Sequence, residues 1–245
     1  MHANGISMEL YGKGYVLAPD AGIGLYLYSG LDYLEYYSQF PSHNTVCVDG
    51  ISSYPVMKSN HSFDLKSSFP VSSEPGKAFT SVTYSDVSFR EPESRADQNR
   101  MMSIVTTGPE TGYYVDIFRS RKERGGDKMH DYFYHNLGQT MTLTAANGTD
   151  LNLQPTEELA FAGAHLYAYS YLYDKKVATT GQDVKVTFTI DMKDKGGDDI
   201  SMNLWMKGEP EREVFTALSP MTEGLSRTPH MPYNIKEQPT LTFVA

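Results

Sequence analysis

Short runs of alternating apolar and polar residues, interrupted every few positions by glycine-containing turns, commit this chain to β-structure. Ile6 to Tyr11 and Tyr15 to Ala18 flank Gly12-Lys13-Gly14, which reads as a hairpin with glycine where the backbone needs positive φ. Further strands are predicted at Gly24 to Tyr28, Thr45 to Asp49, Thr80 to Phe89, Met101 to Thr106, Tyr113 to Arg119, Met129 to His135, Met141 to Ala145, Leu166 to Tyr173, Val184 to Met192 and Ile200 to Met206. Arg90 to Arg95 reads as a loop, Ser120 to Lys128 as a charged turn centred on Gly125-Gly126, and Thr156 to Ala162 is the best candidate for a short helix. Many strands at short spacing predict an all-β, antiparallel, multi-layer β-sandwich, taken as one domain over residues 1–245. The alternation Thr240 to Ala245 stops in mid-pattern, so both ends read as cuts through a longer protein.

Composition narrows the function classes. Eighteen Tyr and 11 Phe in 245 residues suit strands and a sizeable core. A formal charge of -9 opposes general nucleic-acid binding, which requires a broad basic face against phosphate. The single cysteine, Cys47, excludes an intrachain disulfide framework. No apolar run of about 18 residues exists, so no membrane span is expected. Phosphate loops, Gly-x-Ser-x-Gly elbows and Cys-x-x-Cys pairs are absent.

Three candidate metal ligands lie in the first fifth of the chain: His2, Asp20 and His43. Two imidazoles and a carboxylate suit one zinc ion with an open fourth position. The hairpin carries Asp20 back towards His2, and strand alternation puts His43, Thr45, Cys47 and Asp49 on one face. Dispersed ligands lack the tight spacing of a zinc finger, and three unrelated polar residues are an equal alternative at this level. Cys47 shares the face of His43 but reads better as a small buried thiol than as a fourth ligand. A second polar group, Asp116, Arg119, His130, Asp131 and His135, could neutralise an acidic substrate, although sheet pairing and surface placement explain it better; Arg121, Lys122 and Arg124 read as a solvated basic tip. Tyr167, Tyr169, Tyr171 and Tyr173 fall on one face of a predicted strand, where packing between sheets is a better account than a sugar platform. Nearer the proposed metal are Tyr33, Tyr36 and Tyr37; Tyr36 and Tyr37 are chosen as the substrate-binding candidates.

The stretches His2 to Gly14 and Leu17-Ala18-Pro19-Asp20-Ala21-Gly22, the run Ser42-His43-Asn44-Thr45-Val46-Cys47-Val48-Asp49-Gly50, and Val115 to Arg119 with His130-Asp131-Tyr132-Phe133-Tyr134-His135 together resemble the heparinase II/III-like polysaccharide lyases. The resemblance covers roughly the first 135 residues. It implies a supersandwich-like β part of a larger enzyme whose helical toroid lies outside this chain and carries the catalytic tyrosine and the Asn or His that neutralises the substrate carboxylate. It also implies zinc held by His2, Asp20 and His43, an acidic, uronate-containing polysaccharide as substrate, β-elimination as chemistry, and a periplasmic or extracellular location. Members carry a His-x-His pair at the first motif; here Met1 takes the middle position, so the leading His would fall just before this chain. The fragment alone is therefore expected to be inactive. A non-catalytic glycan-binding or structural β-module is the alternative, and it would be favoured if translation starts at Met1.

Overall fold

A computed structural model describes residues 4–21, 31–51, 63–70, 81–125, 128–159, 167–222, 235 and 238–245. Within them the chain is almost entirely antiparallel β-structure, arranged as two compact units: residues 54–130 form one, and residues 2–53 with 131–245 form the other.

The first unit holds one four-stranded meander, β4 (Asp64–Phe69), β5 (Val82–Arg90), β6 (Asp97–Gly108) and β7 (Thr111–Arg121), in that spatial order. β6 and β7 pair from Asp97↔Arg121 to Gly108↔Thr111. The loop after β5 is closed by Glu91, whose carboxylate accepts from the backbone N–H groups of Glu93 and Ser94.

The second unit stacks a six-stranded sheet on a three-stranded one. β3 (Val46–Val48), β8 (His130–Asn136), β10 (Gln154–Pro155), β11 (Tyr173–Thr180), β14 (Arg212–Ser219) and β15 (Thr240–Val244) form the larger sheet in the order β10-β11-β14-β15-β8-β3. The smaller has β12 (Val184–Ile190) between β9 (Thr140–Ala145) and β13 (Ile200–Met206). Their inner faces meet where the Tyr134 and Phe188 rings pack at 5.5 Å with their planes tilted by 35°. Both side chains are fully buried, and each contributes about 1.5–3 kcal/mol by leaving water. The strict alternation of β12, with Val184, Val186, Phe188 and Ile190 buried, is what a sheet with one wet face requires.

A two-stranded ribbon, β1 (Leu10–Gly12) and β2 (Tyr15–Ala18), caps this core through Leu17, which packs with Leu137, Ile190, Met192 and Ile235. The hairpin predicted around Gly12-Lys13-Gly14 is present, with β1 shorter than expected. The strand predicted from Met129 is β8, which pairs with β15 and neighbours β3; it buries Phe133 and Tyr134 together with the polar His135 and Asn136 as part of the larger sheet. Several expectations are corrected. Tyr167–Tyr171 is a 3-10 helix, so the tyrosines of this run do not share a strand face; β11 begins only at Tyr173. Residues 156–158 are irregular and Leu159 lies in a bend, while 160–162, like the predicted strand Gly24 to Tyr28, fall outside the described residues. β4, β11 and β14 were not foreseen, their alternation being diluted by charged or small residues such as Lys66, Lys175 and Thr216.

Candidate metal and substrate site

The sequence His43-Asn44-Thr45 leaves a 3-10 turn, Phe40–Ser42, that has proline in its first turn and His43 as its C-cap. This turn sets His43 in extended backbone before β3 begins, so strand alternation does not govern its direction. His43 is fully buried, and its Nδ1 lies 2.8 Å from Asp20 Oδ2. Asp20 follows β2, and its backbone N–H donates to Glu9 Oε1 at 2.9 Å. Glu9 also accepts from the Tyr11 hydroxyl, so one carboxylate clamps both arms of the ribbon in the register that delivers Asp20.

Asn44 is the residue that sequence reasoning passed over. Its Nδ2 donates to the carbonyls of Met8 and Pro19, both at 3.1 Å, and its Oδ1 accepts from the backbone N–H of His135 at 2.6 Å. Its own N–H donates to Ser7 Oγ. One buried amide thereby ties both arms of the ribbon to β8, and the Asp20–His43 pair sits between those ties. The signal available in the sequence was the His-Asn-Thr run itself, in which a buried Asn must satisfy an oxygen and two N–H groups.

His135 is buried beside this network. Its Nδ1 lies 3.3 Å from Asn44 Oδ1, and among the described residues its Nε2 finds no hydrogen-bond partner. Burial, with a smaller contribution from His43, pushes its pKa down to about 3; the Asp20 carboxylate and the Pro41 carbonyl pull weakly in the other direction. His135 is a neutral imidazole in the folded protein.

Of the three proposed ligands, Asp20 and His43 are in contact, and His2 lies outside the described residues. Among the described residues no three His, Cys, Asp or Glu side chains converge closely enough to hold a metal. The donor chemistry still fits zinc: one imidazole and one carboxylate touch, the Asp20 side chain is 30% exposed, and it borders a cavity lined also by Asn4, Ser7, Met8 and Glu9. Cys47 is a buried thiol pointing at the Ile51 carbonyl, not a further ligand.

Tyr36 and Tyr37 belong to an aromatic cluster with Tyr33, Ala21 and Ala168. Tyr36 stacks on Tyr171 at 5.5 Å, and the Tyr37 hydroxyl donates to the Met221 carbonyl. Their exposures are 1% and 5%, and burial raises the Tyr36 hydroxyl above its ordinary range. Packing is the role the fold gives them. Tyr171 donates to Glu35, and Tyr169 donates to the buried Asp131, whose carboxyl is raised by desolvation against the opposing effect of that hydrogen bond. The residues of the second polar group find separate partners. Asp116 takes both Nε and Nη2 of the buried Arg100, Arg119 donates to Asn99, and His130 pairs with Ser120 Oγ.

No family model matches the chain. It is nevertheless similar to a polysaccharide lyase. That relative is the endo-acting ulvan lyase of Formosa agariphila, 29% identical over 234 residues, which make up 90% of this chain and 28% of that protein. The chain therefore spans little more than a quarter of its relative's length.

Proposed function

We propose that this chain is the β-sheet part of a zinc-containing, heparinase II/III-like polysaccharide lyase that cleaves a uronate-containing polysaccharide by β-elimination outside the cell or in the periplasm. The observation that carries the reading is the similarity to an ulvan lyase along 90% of the chain; the contact between Asp20 and His43 supports the metal. In β-elimination a base takes the proton α to the uronate carboxylate, hydrogen-bonding or positive groups hold the charge that develops, and the 4-linked sugar leaves with a proton from an acid. Those groups are assigned to the helical part of a longer protein. Zinc, held by His2, Asp20 and His43, would supply a fixed positive charge that organises this wall of the site. Asn44 and Glu9 orient the ligands from behind, as outer-shell hydrogen bonds do at metal centres.

Two measurements test the proposal. Protein purified without added zinc should contain about one zinc per chain by metal analysis, and His43→Ala should lose it. A wild type free of metal removes the zinc site. Incubated with ulvan, alginate, heparan sulfate or chondroitin, the 245-residue chain should produce no absorbance from unsaturated uronate, whereas a protein extended upstream to include the helical part should act on at least one of these polymers. Cleavage by the chain alone places the catalytic groups within it and overturns the division proposed here. If the extended protein binds such polymers but cleaves none, the chain is a glycan-binding module.

A further inference from the structure

The outer face of the three-stranded sheet carries the only tryptophan of the chain, and it is 60% exposed. Trp205 on β13 lies directly across from Lys185 on β12, whose Nζ sits 5.2 Å from the indole centroid, and Lys185 is flanked on its other side by Thr144 of β9. The next outward row is Asn203, Thr187 and Thr142. Thr187 Oγ1 donates to Asn203 Oδ1 at 2.8 Å, so the amide NH2 of Asn203 is the group left to donate outward. A third row, centred on Thr189, again presents only hydroxyls. The opposite face of β12 is buried throughout, so this face turns away from the core.

A large exposed indole calls for an explanation when no apolar side chain stands beside it in these rows. The charge pattern supplies one. The chain has 30 acidic and 21 basic residues, yet within these three rows of β9, β12 and β13 the sole formal charge is the Lys185 ammonium; the exposed Asp150, bridged to Thr144, extends the first row at the end away from Trp205. An indole face suits the C–H face of a pyranose, an adjacent ammonium suits a carboxylate or sulfate, and rows of hydroxyl and amide groups suit ring hydroxyls.

We infer that the outer face of β9, β12 and β13, centred on Trp205 and Lys185, is a second, non-catalytic binding surface for an anionic polysaccharide. The inference rests on the proposed lyase reading for the occupant, and on this face alone for the site. It would hold the polymer to the β part while the helical part cuts it, raising the local concentration of substrate chain as any second binding site on one molecule does.

Because Trp205 is the single tryptophan, its emission reports on this surface directly. Titration of the 245-residue chain with ulvan should change Trp205 emission saturably, with the midpoint moving to higher ulvan concentration as salt is raised, and dextran should leave the emission unchanged. In affinity electrophoresis through ulvan, Trp205→Ala and Lys185→Gln should each bind roughly tenfold more weakly, a loss of about 1.4 kcal/mol, while Trp205→Phe should recover part of the retardation. Unaltered emission, or unaltered retardation of Trp205→Ala, overturns the site. Cleavage of ulvan by the extended protein, followed as unsaturated uronate, separates the two readings. Cleavage without an emission response leaves the lyase standing and removes this surface, whereas an emission response without cleavage does the reverse.

Discussion

At the scale of single residues, the buried amide of Asn44 ties together the backbone around Asp20 and His43. Replacing it with alanine leaves the Met8 and Pro19 carbonyls and the His135 N–H without their partner. Buried polar groups stranded in this way cost about 1–3 kcal/mol each. Asn44→Ala should therefore lower stability by roughly 3–5 kcal/mol, read as the midpoint of denaturant unfolding; a loss below about 1 kcal/mol contradicts the network. His135 gives a pH dependence. Its folded pKa of about 3 lies below the ordinary histidine value of 6.5, so between these limits the unfolded chain binds a proton that the folded chain refuses. Its contribution is fully present above pH 6.5 and is lost as pH falls towards 3, at about 1.4 kcal/mol per pH unit. Asp131, raised by burial, acts in the opposite sense, since the folded state then holds a proton longer than the unfolded one. The comparison to make is therefore between wild type and His135→Gln: the variant should lose less stability between pH 6.5 and 4.5, and parallel curves would show that His135 does not titrate as described.

Among elements, the joint between β8 and β9 is the most constrained. Gly138 has φ of 156°, and a Cβ there would lie 2.7 Å from the Thr189 carbonyl oxygen. That oxygen belongs to β12 and already accepts from the Gln139 N–H, so it cannot retreat without opening the edge of the three-stranded sheet. Gly138→Ala should cost roughly 2–3 kcal/mol, seen as a fall in melting temperature, whereas Gly125→Ala, which shares the strain of a positive φ but whose Cβ meets nothing within 4 Å among the described residues, should cost less. How legible an element was in sequence followed its surroundings. β2 matches its predicted bounds because the tight turn at Lys13-Gly14 fixes where it starts, and β13 because its burial alternates strictly. The tyrosine run misled because its alternation in sequence has the period of a strand, whereas the chain turns here with three residues per turn and buries the adjacent Ala168 and Tyr169.

For the whole molecule, metal linkage follows from the proposal. A metal that binds only the folded state stabilises it by mass action, so chelation should lower the melting temperature of wild type and leave that of His43→Ala unchanged. Equal shifts in both proteins would place the effect elsewhere. Local chemistry alone determined the class: short alternating runs with glycine turns give each segment one apolar face with the period of a strand, which a sheet buries. The same local chemistry named His2, Asp20 and His43 as candidate ligands, and it was the family resemblance that set them above three unrelated polar residues. Tertiary structure alone decided that β8 joins β15 instead of β7, that Tyr36 and Tyr37 are covered by protein, and that Trp205 is not. Strand partners and exposed faces are set by long-range burial, and a pattern of period two is the same whichever sheet, and whichever side of it, a strand finally occupies.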